Sequence, residues 1–498
     1  LPDNYDPAEF NCRFDHYDRT IYSLPDTNEQ DLLDNYRVFL ANNFYDFGSK
    51  YGPLKALHSI ESAKVLGLFE NGVVVFNAYS TIQATTDDYL VGNAGIFANR
   101  PQEYFKSDLG YGGTQHTAFA TCQYGHFWVD AKRGRIYSIN PGGAGMQEIS
   151  QNGLGNWFRE NLPFRIKKQF PNISDNMIDN AYEGLGISMV WDDRYSRLFV
   201  TKLDAKVKSG ITLHQGDVAT MPNNSVALGE RYTDDKENLD FYYKPPQGGD
   251  PYVVHPQTHP SVFDSASWTV SYSPLTKSWV SFHSFLPNYY VAHNNYFSSG
   301  LNFGSSSGIW NHLLGSNQTF QVYYGTLYPW IIEVPVKQNY NTRMYEDFSY
   351  RLDVRRYSNE YDYHYFPENF DTAVFYNDRE STGLLNLITQ KQNNQQQLIE
   401  LPKFTGSGVD ILATKSDYTW SVNFFLDNLR ENHTLPIWNH AVNNVGKSLN
   451  ATAFNYQPTF KNHIRGQYLI ARLSQNNESR LKYIFEHFIS DSLLYDAY

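Results

Sequence analysis

The 498 residues carry 40 Lys and Arg against 52 Asp and Glu, a formal charge of −12, which argues against broad attraction to nucleic acid phosphates. Aromatic residues make up 16% and charged residues 18%, the opposite of a composition that cannot collapse, so a folded chain is expected. At about 150 residues per domain, the length predicts two or three domains.

The 39 Tyr and 33 Phe favour sheet surfaces and subunit contacts over a helical bundle. No apolar run reaches the roughly 18 residues that span a bilayer, and the opening LPDNYDPAEF lacks the basic and apolar regions of a signal peptide. The chain therefore reads as soluble. Its start at Leu1 reads as a processed product or a piece of a longer polypeptide. Cys12 and Cys122 stand far apart with no CxxC partner, which favours two buried thiols over a disulfide or a thiolate metal site.

Residues 1–53 form the first segment, an N-terminal arm and helix. Thr27-Asn28-Glu29-Gln30 is a capping-box pattern, and Leu32, Leu33, Tyr36, Phe39, Leu40 and Phe44 follow at helical spacing. Gly48, Gly52 and Pro53 end it.

A second domain is expected over 54–330. Its clearest local feature is a hairpin in which AKVLGLF and VVVFNAY flank Glu70-Asn71-Gly72, because Asn-Gly supplies the positive φ values of a tight turn. Three more hairpins share one grammar of strand, polar turn and return strand. Their turns are Asp130-Ala131-Lys132-Arg133-Gly134, Asp192-Asp193-Arg194-Tyr195-Ser196 and Ser273-Pro274-Leu275-Thr276-Lys277. Hairpins recurring roughly every 60 to 80 residues predict an irregular β-propeller with insertions, since a compact blade takes about 40–50. A sandwich explains the same hairpins.

Helical insertions are predicted from Trp157 to Phe170 and from Ser174, with Met177, Ile178, Ala181, Tyr182 and Leu185 facing one way. The stretch 221–260, rich in Pro and Gly, reads as an exposed loop or contact arm.

Residues 331–498 read as a β-sandwich-like assembly layer, with strands at Trp330–Val334, Tyr350–Val354 and Thr372–Tyr376. The Gln/Asn-rich run 390–397 reads as a solvated loop. A final hairpin pairs 466–473 with 480–485 across Gln475-Asn476-Asn477-Glu478.

The search for chemistry gives no catalytic, cofactor-binding or metal-binding residue. Gly304-Ser305-Ser306-Ser307-Gly308 has the GxSxG form of a nucleophile elbow, but no helix follows, so a flexible loop is the better reading. HExxH, EF-hand, P-loop and dinucleotide patterns are missing. His255 and His259 lie in the proline-rich stretch and read as solvated or packing histidines.

Asp192 and Asp193 are the tempting carboxylate pair for glycoside hydrolysis, yet a turn position predicts Asx-type backbone bonding instead. Arg165, Lys167 and Lys168 form the one basic cluster, read first as a solvated helix face and second as a nucleic acid contact. Six N-x-S/T patterns, at Asn172, Asn223, Asn317, Asn432, Asn450 and Asn477, fit chance in an asparagine-rich chain.

The segments GLGISMVWDDRYSRLFVTK, SWTVSYSPLTKSWVSFHSFLPNYYV, FDTAVFYNDRESTGLLNL and IRGQYLIARL, in that order, resemble the tail proteins of crAss-like bacteriophages. Within that family they are similar to the muzzle or nozzle-type component of a short tail. The resemblance covers much of 185–475, including the step Ser381-Thr382-Gly383.

It implies a virion structural protein with propeller-like and sandwich-like domains and no catalytic residues or cofactor. The implied partners are other copies in a ring-like homo-oligomer, other phage tail proteins, the remainder of a longer precursor, and DNA as transiting cargo. An acidic wall would repel exiting DNA at close range. Two alternatives remain: a glycan-binding module using loops such as Asn288-Tyr289-Tyr290, and a propeller-type glycoside hydrolase.

Overall fold

The turn sequences explain the fold from the bottom up. In all three hairpins of shared grammar, the last turn residue takes a positive φ: Gly134 (66°), Ser196 (48°) and Lys277 (51°). The flanking pairs have the same spacing, Asp130 opposite Arg135, Asp192 opposite Arg197 and Ser273 opposite Ser278. One four-residue connection is thus used three times, with the left-handed residue bringing the chain back into register. Glycine serves at 134 for a second reason. A Cβ there would lie 2.7 Å from the Arg159 Cα.

This computed structural model describes residues 18–23, 37–60, 64–77, 81–84, 87–90, 101–104, 112–113, 115–171, 173, 178–182, 184–215, 225–228, 241–243, 252–254, 256, 259–294, 296–302, 307–312, 320–337, 341–356, 368–389, 403–405, 408–416, 419–423, 463–476, 481–489 and 492–494. The protein is mainly β, and it divides into two units, Leu1–His312 and Leu313–Tyr498.

The first unit holds four antiparallel meanders in chain order. The first is Leu54–Ile60, Lys64–Phe69, Val73–Asn77 and Gln102–Tyr104; the second is Phe119–Cys122, Gly125–Asp130, Arg135–Ile139 and Gln147–Glu148. The third is Gly186–Asp192, Arg197–Leu203, Trp268–Ser273 and Ser278–His283. The fourth has three strands among the described residues, Tyr289–Ala292, Phe297–Leu301 and Gly308–Asn311.

Period-two alternation then stacks the meanders. Trp128, Tyr137 and Ile139 pack with Leu66, Leu68, Val73 and Val75 of the first meander. On the opposite face, Phe127, Val129 and Ile136 pack with Ile187, Met189, Leu198 and Val200 of the third. The third meander's other face meets the fourth through Phe199, whose ring lies 5.5 Å from Phe297, and through the 2.6 Å bond between Thr201 Oγ1 and Tyr290 OH.

Two short helices, α1 (Gly155–Asn161) and α2 (Arg165–Gln169), add Phe158, Leu162 and Ile166 to the core between the second and third meanders. They break at Leu162-Pro163-Phe164, where proline removes an amide from the ladder.

Several expectations are corrected. Phe44 belongs to the strand Phe44–Asp46, which pairs with Arg19–Ile21, and residues 38–43 are non-helical; the start of the predicted helix lies outside the described residues. Residues 178–182 form turns, closed by an Asn180–Leu185 bridge, in place of a helix. Ser174 and Met177 lie outside the described residues.

The stretch 221–260 is not simply a loop. It contributes Ser225–Leu228, Phe241–Tyr243 and Tyr252–Val254 to a four-stranded sheet with Thr212–Gln215, inside the third meander's insertion. Its prolines and glycines fall outside those strands.

In the second unit one sheet runs in the order Trp330–Lys337, Tyr468–Gln475, Thr372–Tyr376, Leu385–Thr389, Gly408–Ser416, Thr419–Asn423, Asp347–Arg356 and Leu481–Ile489, with Lys403–Thr405 attached to Gly408–Ser416. The predicted C-terminal hairpin is corrected here. Both strands exist, but Tyr468–Gln475 pairs with Trp330–Lys337 and Thr372–Tyr376, and Leu481–Ile489 pairs with Asp347–Arg356.

The sheet curls. Strands Thr372–Tyr376 and Asp347–Arg356 are four positions apart, about 19 Å in a flat sheet. The Phe375 and Phe348 rings nevertheless lie 5.5 Å apart, in a core with Tyr350, Leu387, Ile411, Trp420 and Leu469.

Candidate functional site

The acidic residues of the hairpin turns are engaged by neighbouring side chains. Asp192 is buried, and its Oδ2 accepts Arg197 Nε at 2.9 Å; Asp193 Oδ1 accepts Trp191 Nε1 at 3.3 Å. These side-chain partners replace the Asx-type bonding expected there. That bonding occurs instead at Asp130, whose Oδ1 accepts Arg133 N at 3.1 Å while its Oδ2 accepts Arg133 Nη1 at 2.8 Å. Burial lifts the Asp130 pKa, and the Arg133 guanidinium opposes it. Arg133 also reaches Glu70 O and Asn71 Oδ1, tying the first two meanders together.

The deepest charge is Lys202. Its Nζ donates to Asp204 Oδ2 at 2.6 Å, to Asn161 O at 2.8 Å and to Pro163 O at 3.1 Å, with both side chains fully buried. Burial pushes the ammonium pKa down against the pull of Asp204. Asp204 also accepts Arg165 N at 2.7 Å and Ile166 N at 3.4 Å, so one ion pair holds the segment that opens α2. Sequence reasoning missed this pair, although a Lys-x-Asp closing an otherwise apolar strand was visible.

The loop proposed for sugar stacking is partly structural. Asn288 is buried, and its amide donates to Ala181 O at 3.1 Å and Tyr182 O at 3.4 Å. Tyr290 is held against Thr201. Tyr289 and the exposed Tyr182 place their ring centroids 5.6 Å apart.

The Ser381-Thr382-Gly383 step also closes a turn. Thr382 Oγ1 accepts Phe375 N at 3.0 Å, Thr382 N donates to Phe375 O at 2.9 Å, and Gly383 has a φ of 65°.

Other sequence candidates separate. Ser306, His255, Cys12, all six N-x-S/T asparagines and the run 390–397 lie outside the described residues. Gly308, at the end of the GxSxG run, opens a strand rather than a helix. His259 is not brought into any group of three or more metal-ligand side chains among the described residues. Cys122 is half-buried, and burial pushes its thiol up to about 11. No helix among the described residues is long and apolar enough to cross a membrane.

The predicted basic cluster is divided and then joined by others: Arg165 does not line the cleft that Lys167 and Lys168 line, and its Nη2 donates to Asn161 Oδ1 at 3.5 Å. Lys167 and Lys168 of α2 converge with Lys55 of Leu54–Ile60 and Lys132 of the second meander's turn, around a cleft of about 210 Å³. Sequence separation hid this grouping.

The faces of the stack differ at its ends. The outer face of the first meander is covered, with Phe69, Val74 and Phe76 packed on Tyr51 and Phe47. The outer face of the fourth leaves Val291 41% and Ile309 67% exposed.

No family model matches the chain, and no curated protein matches it. A solved structure described as a crystal structure of a nidogen/laminin complex matches at 10% identity, over 57% of this chain and 84% of that chain. Its TM-score is 0.19, too low to carry an argument about fold or activity.

Proposed function

We propose that the chain is a structural protein of a short-tailed, double-stranded-DNA bacteriophage virion, located in the tail. In this reading it forms part of the muzzle or nozzle that closes or gates the channel for DNA and ejected proteins. In the same reading the four stacked meanders are blades of an irregular β-propeller left open at the fourth, and the curled sheet of the second unit is a β-sandwich-like assembly layer. The observation that carries the reading is the uncovered fourth meander. A sheet buried on both faces elsewhere in the stack ends with Val291 and Ile309 facing solvent, as a subunit contact requires.

The described turn carboxylates support a structural role, since Asp130 and Asp192 are spent on Arg133 and Arg197. The test is mass spectrometry of purified particles combined with antibody-labelled electron microscopy. The chain is expected in the virion with label at the tail tip; its absence from particles would refute the proposal.

A glycan-binding tail module is the second reading, favoured by the Tyr182–Tyr289 aromatic pair. Glycan-array binding lost on Tyr182→Ala would support it.

A further inference from the structure

The lysine-rimmed cleft of the first unit has a chemistry that assembly does not use. Lys55, Lys132, Lys167 and Lys168 line it, and Phe164 and Ile178, both nearly inaccessible to solvent, form apolar wall. Lys132 Nζ is paired with Glu70 Oε1 at 2.5 Å, and Lys167 Nζ donates to Ile173 O at 3.0 Å. Among the described residues the Lys55 and Lys168 ammonium groups form no hydrogen bond or ion pair. Among the described residues the cleft lining holds four lysines and no acidic residue; Glu70 is engaged by Lys132 and Asp179, next to Ile178, by His116, in a chain whose net charge is −12. Such a local reversal of sign attracts an anion.

Size and wall rigidity narrow the ligand. Pockets for larger ligands run from about 300 to 1,000 Å³, whereas an apolar cavity of about 150 Å³ holds one benzene ring. A cleft of about 210 Å³ therefore suits a single ring with a charged group at its mouth. The wall is preorganised, because the Lys202–Asp204 pair grips Pro163 O, Arg165 N and Ile166 N beneath it.

We propose that this cleft binds a small aromatic oxyanion, a phosphate or carboxylate on one ring. The ring lies on Phe164 and Ile178, and Lys55 and Lys168 take the charge.

Isothermal titration calorimetry of the full chain tests this with phenyl phosphate, benzoate and inorganic phosphate as probes. Phenyl phosphate should saturate one site and inorganic phosphate should bind at least about tenfold more weakly, because it lacks the ring. K55Q/K168Q should lose about tenfold in affinity for phenyl phosphate with an unchanged melting temperature. Raising salt from about 50 to about 500 mM should weaken wild-type binding, which tests the charge requirement without any substitution. No saturation, equal binding of inorganic phosphate, salt-insensitive binding, or a folded K55Q/K168Q with unaltered affinity would each overturn the proposal.

Discussion

The second and fourth meanders share an antiparallel plan but meet different surroundings. The second buries Trp128 against the first meander and Phe127 and Val129 against the third, so both faces belong to the core. The fourth buries Phe297 on one side and leaves Val291 and Ile309 exposed on the other. Strand formation alone does not decide which face is core; the neighbour does. The second meander is therefore core on both faces, whereas the fourth keeps one face in solvent, the face proposed above as a subunit contact.

Substitutions in the inner meanders should give the largest effects. Lys202→Ala leaves Asp204 buried without its cation and should cost about 3–5 kcal/mol. Trp128→Ala opens a cavity between the first two meanders and should cost a similar amount, about 3–5 kcal/mol. Equilibrium urea denaturation measures both. Losses below about 1 kcal/mol would show that the inner stack is not the stabilising region.

Acid should act at the junction of the third and fourth meanders and also at His58, stacked on Phe119 of the second meander, whose pKa burial lowers to about 4. His283 bonds Ser271 Oγ at 3.0 Å and His312 bonds Ser299 Oγ at 2.5 Å. Burial pushes their pKa values down to about 3 and about 4. The unfolded chain takes up these protons near pH 6.5, before the folded one does, so stability is present above that pH and is lost as pH falls toward 4. Each histidine contributes a slope of about 1.4 kcal/mol per pH unit within that window. Urea denaturation across the window should show the decline, and His283→Gln should flatten it; an equal slope in the variant would remove His283 as a cause.

Ile309→Asp should change monomer stability least, by less than about 0.5 kcal/mol, because the side chain is already 67% exposed. Its effect should fall on self-association, read by analytical ultracentrifugation. A large loss of stability would mean that the face is core rather than contact surface.

Much of this contrast was legible in the residues. The four hairpins stand where alternation puts them, and three turn on a positive-φ residue; the first departs from expectation, since neither Asn71 nor Gly72 has a positive φ and Phe69 N to Gly72 O, Glu70 N to Pro53 O and Asn71 N to Tyr51 O hold its turn instead. Nonlocal features escaped. The strands Tyr468–Gln475 and Leu481–Ile489 look like a hairpin because they are adjacent in sequence, yet each pairs with strands more than 90 residues away in the chain order, at Thr372–Tyr376 and Asp347–Arg356. The apolar pattern at Ile178, Ala181 and Leu185 fits a helix, but tertiary packing buries the same residues from turns. The cleft was half visible: Lys167 and Lys168 are neighbours in sequence, whereas Lys55 and Lys132 join them only through the stacking of meanders.

The most direct test of the account is electron cryomicroscopy of intact particles carrying this chain, at a resolution that traces the hairpins near Phe127, Val190 and Trp268. The account predicts a ring at the tail tip, with the Val291–Ile309 face buried against a neighbouring subunit. A virion without this chain, or a ring in which that face remains in solvent, would contradict it.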